Sequence, residues 1–340
     1  MSKNSKIEWC DHTQNFWEGC QRMGPGCDHC YAEARNKRFG GGVAPNFGPG
    51  APRRRTAPKT WGNPRTWNKE HDTFFAEHGR RQKVFCASLS DWADNAVPIE
   101  WLVDALDVIR LTPNLDWMML TKRIGLVISR LEAALLAVNP ETHRDLWLWI
   151  KGLVTGEDVP HNVWVGATVV DQNEADRDIP KLRQVPAIKR FLSMEPLLGL
   201  VDLCKPLGLI RVGLDQHLLP NHYPDIDLVI VGGESGHGAR PMHPAWPRSL
   251  RDQCDAAKVP FLFKQLGEWR PLLLEECRSG NTTLVSVDPN RQTGAGYHLR
   301  HQYEGMLTEQ AYSWQCPVLK VGKAAAGRLL DGREWNGTPT

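Results

Sequence analysis

The sequence predicts an α/β fold, a closed or partial (β/α) barrel in which parallel strands alternate with helices. Six short apolar runs rich in β-forming residues recur along the chain, at 84–88, 117–120, 163–169, 190–194, 228–233 and 260–265. Segments with helical apolar spacing separate several of them, for example 99–113 and 245–259. This alternation is typical of a parallel sheet covered by helices. A first strand within 6–17 makes seven candidate strands, which favours a barrel over an open doubly wound sheet.

The composition indicates a protein that can bury a large core. The chain has 340 residues, a formal net charge of +2 and 41% hydrophobic residues, which we interpret as one domain over 1–340. The first residues, MSKNSKIEW, lack the apolar segment of a secretory signal, and no apolar run approaches the length of a membrane span. Nine cysteines at irregular spacing favour a reducing, cytoplasmic environment and a metal site over a disulfide framework.

The first strand leads into a cysteine loop, which we define as residues 17–31. It carries Cys20, Cys27 and Cys30 in the spacing C-x6-C-x2-C, with a Gly-Pro-Gly turn between the first two. Such a turn can direct three sulfurs to one point, where they bind an iron–sulfur cluster or zinc. A zinc site would need a fourth ligand, for which the candidates are Cys10, His12 and His29. Three buried thiols without metal are the remaining alternative.

A basic stretch follows the loop, at about 35–83. It contains 12 Lys or Arg and 3 Asp or Glu, a local balance of +9 in a chain of only +2. The aromatic residues Trp61, Trp67, Phe74 and Phe75 are interleaved with these charges. Cations bind phosphates and aromatic rings stack on bases, so this insertion into the barrel predicts a nucleic-acid partner. A solvated surface segment is the alternative.

The remaining segments are shorter. Residues 31–38 predict the start of a helix, and the breaker-rich run GGGVAPNFGPGAP at 40–52 predicts a loop. Residues of about 270–316 are less regular, which indicates a loop-rich C-terminal segment that covers the barrel. The tail VGKAAAGRLLDG, 321–332, predicts a short helix closed by Gly332.

Polar side chains follow the predicted strands, at the edge where α/β folds place their chemistry. Helix caps and tight turns would account for any one of these strand ends, but not easily for all of them together. The candidates are Ser88, Ser90 and Asp91 after the second strand, Lys122 and Arg123 after the third, Glu195 after the fifth, Gly232, Gly233 and Glu234 after the sixth, and Lys264 in the last.

Several of these segments resemble the phage-associated three-Cys-motif family, which is similar to radical-SAM (radical S-adenosylmethionine) enzymes. The similar segments include IEWCDHTQNFWEGC, GCDHCYAEA, SLSDW, MLTKR, FLSMEPLLGLVDL, IVGGESGHGARPMHPAW and PFLFKQLGEW, and they extend over nearly the whole chain. The typical radical-SAM spacing is C-x3-C-x2-C, so the first gap of this chain is longer than the usual one.

The resemblance implies a specific site and activity. Cys20, Cys27 and Cys30 would hold a 4Fe-4S cluster that reductively cleaves S-adenosylmethionine to a 5′-deoxyadenosyl radical. His29 or Tyr31 would pack near adenine, and the methionine amino group would meet either Ser88, Ser90 and Asp91 or Gly232, Gly233 and Glu234. Glu195, Glu234, Lys122, Arg123 and Lys264 would position cofactor and substrate. The implied partners are nucleic acid and a companion three-Cys-motif partner protein, and the rival hypothesis is a zinc-stabilised nucleic-acid-binding protein without catalysis.

Overall fold

A computed structural model describes residues 2–3, 5–212, 217–271, 283–287, 299–302 and 316–339. The strands are β1 (Ser2–Lys3), β2 (His12–Thr13), β3 (Trp17–Glu18), β4 (Arg54–Arg55), β5 (Gln82–Cys86), β6 (Leu115–Thr121), β7 (Val163–Thr168), β8 (Lys189–Met194), β9 (Leu209–Val212), β10 (His217–Pro220), β11 (Leu228–Gly232), β12 (Phe261–Gln265), β13 (Trp269–Pro271), β14 (Thr283–Val287), β15 (Leu299–Gln302) and β16 (Cys316–Lys320). The helices are α1 (Tyr31–Phe39), α2 (Pro58–Lys69), α3 (His71–His78), α4 (Ile99–Arg110), α5 (Val127–Ala137), α6 (Arg144–Thr155), α7 (Gln172–Gln184), α8 (Ala245–Ala257) and α9 (Lys323–Ala326).

The main sheet has the strand order β1-β2-β5-β6-β7-β8-β11-β12, and β1 is its antiparallel edge. Strands β2, β5, β6 and β7 pair in parallel, as do β11 and β12. Among the described residues the protein therefore has a mixed α/β fold with a seven-stranded parallel sheet and helices. The predicted α/β class is confirmed.

Two compact units divide the chain, and the first comprises Met1–Thr168 and Asp178–Phe191. Its strands β5, β6 and β7 are almost continuously apolar and buried, as expected for parallel strands that are covered on both faces. Helix α4 packs on α5, and α5 packs on α6. The core includes Trp17, Trp117 and Ile109, each with an exposed fraction of 1% or less.

The second unit comprises Val169–Arg177 and Leu192–Thr340. Helix α8 packs against β11 and β12, with Trp246 and Phe263 fully buried. A separate antiparallel sheet has the order β13-β16-β14-β15, and β9 forms a hairpin with β10. Our interpretation of 1–340 as one domain remains a prediction.

The six later apolar runs form β5, β6, β7, β8, β11 and β12, as predicted, and 99–113 and 245–259 contain α4 and α8. The continuous first strand was wrong. Only His12–Thr13 joins β5, while Trp17–Glu18 pairs with Arg54–Arg55 in a separate two-stranded sheet. The two short strands are separated by Asn15, whose side chain donates to the Ser88 hydroxyl.

The tail and the C-terminal segment also differ from the prediction. Helix α9 ends at Gly327, whose positive φ of 75° stops it, rather than at Gly332. Most of the segment at about 270–316, predicted to be loop-rich, lies outside the described residues. Those of its residues that are described include the strands β14 and β15.

The basic stretch contains more regular secondary structure than a solvated surface insertion would have. It contains α2, α3 and most of α1, and its last residues belong to β5, where Lys83 is buried. Six of its arginines form ion pairs with carboxylates, namely Arg35, Arg53, Arg54, Arg55, Arg80 and Arg81. Five carboxylates from outside the stretch therefore offset part of its local excess of positive charge.

Within the described ranges, no helix combines the length and the apolar character that crossing a membrane would require.

Candidate metal and cofactor site

The cysteine loop begins against the segment that follows β5. The backbone N–H of Gly19 donates to the carbonyl of Leu89 at 3.1 Å, and Gly19 forms a parallel bridge with Ser90. The Tyr31 hydroxyl at the other end of the loop donates to the Ser88 carbonyl. The loop therefore lies at the carboxyl end of β5, as predicted for a site at the strand ends.

Gly19 is required at this position for two reasons. Its φ is +111°, and a Cβ atom there would lie 2.4 Å from the carbonyl oxygen of Asn46. The cysteine loop can therefore pass this close to residues 46–48 only because residue 19 lacks a side chain. The backbone N–H of Gly48 donates to the Cys20 carbonyl at 2.9 Å on the same side.

We expect Gly19→Ala to destabilise the first unit more than Gly41→Ala does. Gly41 also has a positive φ, +69°, but open space surrounds its Cβ position, so it bears only the conformational cost of about 1–2 kcal/mol. At Gly19 the clash with Asn46 adds about 1–3 kcal/mol. Urea denaturation of both variants checks this. Equal losses in the free energy of unfolding would show that the close contact with Asn46 adds nothing to the cost of the Gly19 substitution.

The three loop cysteines are free thiols. Cys27 ends the short 3-10 helix Pro25–Cys27 and is buried, whereas Cys30 caps the start of α1 and is partly exposed, as is Cys20. The Cys20 thiol donates to the Gln21 carbonyl at 3.5 Å. Within the part of the chain that is described, no three His, Cys, Asp or Glu side chains are grouped closely enough to hold a metal ion. Metal binding would therefore have to draw the three sulfurs together.

Asp91 connects the ends of β5 and β6. Its carboxylate accepts hydrogen bonds from the Thr121 hydroxyl at 2.6 Å and from the backbone N–H groups of Lys122 at 2.9 Å and Ala93 at 3.0 Å. Burial raises the pKa of Asp91 above its ordinary value, against the lowering effect of these hydrogen bonds. Lys122 in turn donates to the Thr168 hydroxyl at the end of β7, at 3.2 Å. Three strand ends thus share one polar network.

A buried charge cluster lies beside this network. Asp94 accepts from Arg53 Nε at 2.7 Å and lies 3.9 Å from Arg123 Nη2, and the side chains of Asp94 and Arg53 are each only 1% exposed. Arg123 Nη2 also donates to the Gln21 carbonyl at 3.0 Å. This cluster, Arg53–Asp94–Arg123, therefore fixes the backbone of the cysteine loop to the end of β6.

The charge cluster sets the environment of Cys20. Arg123 Nη2 lies 4.0 Å from the Cys20 sulfur. Burial raises the pKa of the Cys20 thiol to about 12, with a further raising effect from Asp91 that Arg123 partly offsets. Cys20 is therefore a neutral thiol at neutral pH, and a metal ion would have to displace its proton.

Two buried polar atoms near Cys20 and Gly19 lack a hydrogen-bond partner in the described part of the chain and are available to a bound ligand. The buried Ser90 hydroxyl and Arg123 Nε have no hydrogen-bond partner among the described residues. Buried polar atoms are normally satisfied, so unpaired ones on residues that contact Gly19 and Cys20 are consistent with a site for a polar group. The three thiols therefore have the donor chemistry for a thiolate-bound metal, although in the described residues they are not grouped closely enough to hold one.

The candidates for a fourth zinc ligand differ in their surroundings. His12 is buried, stacks on Trp67 with ring centroids 4.2 Å apart, and hydrogen-bonds through Nε2 to Gln82 at 2.5 Å. Cys10 is also buried, whereas His29 is exposed within the loop. Of the three, only His29 belongs to the loop itself and is open to solvent.

The second unit contains its own set of predicted residues. Lys264 Nζ lies 2.6 and 2.9 Å from the two Glu195 oxygens, and Gln265 Nε2 donates to one of them at 3.1 Å. A Cβ on Gly232 would lie 3.4 Å from the Glu195 side chain, whereas a Cβ on Gly233 would lie 2.0 Å from the Leu266 carbonyl. Both glycines therefore allow close packing at the ends of β11 and β12.

Glu234 is committed to a buried ion pair. Its carboxylate accepts from the Arg240 backbone N–H at 2.7 Å and from Nε and Nη2 of the same residue at 2.9 and 2.7 Å. The turn between them is closed by Glu268, which accepts from the Gly236 N–H at 2.9 Å. This arrangement makes Glu234 a support for the glycine-rich turn.

The predicted residues are thus brought together within each unit. The first unit gathers Cys20, Tyr31, Ser88, Ser90, Asp91, Lys122 and Arg123, and the second gathers Glu195, Gly232, Gly233, Glu234 and Lys264. Sequence reasoning missed the roles of Arg53 and Arg240. No local pattern marks Arg53 as buried, but Arg240 lies within the glycine-rich motif, six residues after Glu234.

Comparison with known proteins gives one match. No curated protein and no solved structure matches the chain. A family model described as "Protein of unknown function (DUF5131)" matches residues 4–339, which is nearly the entire chain. The chain therefore belongs to the DUF5131 family.

Proposed function

We propose that this protein is a radical-SAM-like enzyme in which Cys20, Cys27 and Cys30 hold a 4Fe-4S cluster and S-adenosylmethionine binds beside it. The observation that supports this most is the position of three free thiols in one loop. The backbone of that loop is hydrogen-bonded to the segment at the end of a parallel strand. The proposal implies the finer fold of a partial (β/α) barrel of the radical-SAM type, and a reducing compartment such as the cytoplasm.

When bound, such a cluster supplies the electron for reductive cleavage of S-adenosylmethionine. The residues around the thiols would prepare the site. Arg123 places a positive charge near Cys20, where it would offset the negative charge of bound thiolates. Asp91 would keep the turn after β5 in place, and the unpaired Ser90 hydroxyl would accept or donate a hydrogen bond to the cofactor.

The remaining candidates would bind and orient polar groups. His29 and Tyr31 lie in the loop, Ser88 follows β5, and the exposed Tyr31 ring would cover an aromatic base. In the second unit, the ion pair of Lys264 with Glu195 and the turn Gly232–Gly233–Glu234 are the candidates for binding polar groups.

The test is a metal assay after anaerobic reconstitution with iron and sulfide. We expect about four iron atoms per chain, as the proposed cluster requires, and a brown protein that absorbs near about 400 nm. Addition of S-adenosylmethionine should change the spectrum of the reduced protein. A colourless protein that binds zinc would instead favour the alternative, a zinc-stabilised nucleic-acid-binding protein without catalysis.

Two partners belong to this proposal. Nucleic acid would bind through the basic stretch 35–83, and the companion three-Cys-motif partner protein would bind at a surface that we do not assign. The charge cluster changes how the nucleic-acid partner should be tested. Arg53 is buried and ion-paired, so its removal would damage the fold rather than report on binding.

A further inference from the structure

A cavity of about 290 Å³ lies in the first unit, at the start of the cysteine loop. Its lining includes Glu18 from β3, Arg54 from β4, Arg35 and Phe39 from α1, and Asn46 from the following loop. None of the predicted metal or cofactor residues lines it. The volume is at the lower end of small-molecule sites and suits one monomer unit of a larger ligand.

The cavity has a net positive charge, because two accessible arginines and one glutamate line it. Glu18, with a side chain only 8% exposed, pairs with both Arg35 and Arg54, so two guanidinium groups share one carboxylate. The arginine side chains are 45% and 62% exposed. Each guanidinium carries five N–H donors, so an exposed guanidinium can bind an incoming anion while it stays paired with the buried Glu18 carboxylate. Arginine binds phosphate oxygens in a bidentate manner, which favours phosphate as that anion.

The cavity also has an aromatic surface. Phe39, at the end of α1, is 73% exposed, and the guanidinium carbons of Arg35 and Arg38 lie 5.1 and 5.9 Å from its ring centroid. An exposed ring flanked by guanidinium groups is the arrangement on which nucleic-acid bases stack. A phosphate contact and a stacking ring in one cavity together indicate a nucleotide.

Amide groups complete the lining. The side chain of Asn36 donates to Asn46 Oδ1 at 3.2 Å and accepts from the Asn46 N–H at 3.3 Å, which fixes both amides in the wall. Asn46 Nδ2 also donates to the Pro52 carbonyl at 2.9 Å, so the two amides give the wall a fixed shape. The next residue, Phe47, forms a backbone bridge with Cys20, so this wall is continuous with the cysteine loop.

We propose that this cavity binds one nucleotide of a single-stranded nucleic acid, with its phosphate on Arg35 and Arg54 and its base on Phe39. The inference names the substrate class of the enzyme proposed above, and only its link to the chemistry rests on that proposal. Helix α1 connects Cys30 to the cavity residues Arg35 and Phe39, and Phe47 bridges to Cys20, so the walls of the cavity are attached to two of the predicted metal ligands. Binding itself needs no metal and can be measured on the metal-free protein.

The test uses fluorescein-labelled single-stranded DNA and RNA of about ten nucleotides with the full-length, metal-free protein, at several salt concentrations. Loss of one phosphate contact lowers the log–log salt slope by about 0.7 for a single strand. We expect this for Arg54→Gln, together with affinity weaker by about tenfold. Arg211→Gln is the control, because Arg211 is 39% exposed and paired with Asp202 at 2.8 Å but lies in the second unit, outside the basic stretch.

Two further variants separate stacking and charge from a general loss of structure. Phe39→Leu should weaken binding by roughly five- to a hundredfold, whereas Tyr223→Leu, at an exposed ring in the second unit, should not. Glu18→Gln should strengthen binding, because it releases two guanidinium groups, and a merely unfolded variant cannot do so. Thermal unfolding of each variant checks that the fold is retained.

Three results would overturn the inference: no binding by the parent protein, equal weakening by the two arginine variants, or equally tight binding of an acidic peptide of the same charge. The outcome is independent of the metal assay. Nucleic-acid binding by a protein that takes up no iron would support the nucleotide site and contradict the proposed enzyme. Iron uptake without nucleic-acid binding would support the enzyme and contradict the nucleotide site.

Discussion

Cys27→Ala is expected to abolish iron binding after anaerobic reconstitution. Three thiolates leave no spare ligand, and even changes one step removed from metal ligands typically cost about 10–100-fold in affinity, so loss of a ligand should cost more. Iron and sulfide content and the absorbance near about 400 nm measure the effect. The same result is expected for Cys20→Ala and Cys30→Ala.

The matched control is Cys204→Ala. Cys204 is also buried and free, but it lies in the second unit, where its thiol donates to Gln253 at 3.8 Å. Its removal should leave the iron content at the parent level. Full iron content in the Cys27 variant, with an unchanged circular dichroism spectrum, would show that the ligands have been assigned wrongly.

The second large effect concerns the charge cluster Arg53–Asp94–Arg123. Asp94→Asn should lower the free energy of unfolding by about 3–5 kcal/mol, because it leaves buried guanidinium groups without their carboxylate. Urea denaturation followed by tryptophan fluorescence measures the loss. Since Arg123 holds the Gln21 carbonyl, the same variant should also bind iron less tightly.

Asp104→Asn provides the comparison for Asp94→Asn. Asp104 pairs with Arg55 at 2.6 Å, but the two side chains are 51% and 39% exposed, so the expected loss is only about 0–1 kcal/mol. Similar losses in both variants would mean that burial adds nothing to the pair of Arg53 with Asp94.

The strands were predictable because parallel strands buried on both faces are short, apolar and continuous. VFC at the end of β5 and LVIV in β11 have this pattern, and both form where it predicts. The extent of the first strand was not, because His12–Thr13 and Trp17–Glu18 pair with different strands, and Asn15 between them donates to Ser88, 73 residues away. Hydrogen bonds over such separations leave no local pattern.

The candidate site was predictable only in part, for the same reason. Polar residues at strand ends identified Asp91 and Arg123, since the topology of an α/β sheet decides where those ends lie. A run of three arginines looks like one basic surface, yet Arg53 is buried on Asp94, Arg54 lines a cavity and Arg55 pairs with Asp104. Charge patterns alone do not separate these roles.

The hydrogen bond from Arg123 to the Gln21 carbonyl has a consequence for protein synthesis. The cysteine loop leaves the ribosome before the side chain that holds it, which follows 102 residues later. At translation rates of about 5–20 residues per second, this interval is roughly 5–20 seconds. For that time the three thiols are exposed on an unfinished chain, so we expect cofactor insertion to follow completion of β6, and oxidation of the nascent thiols to compete with it.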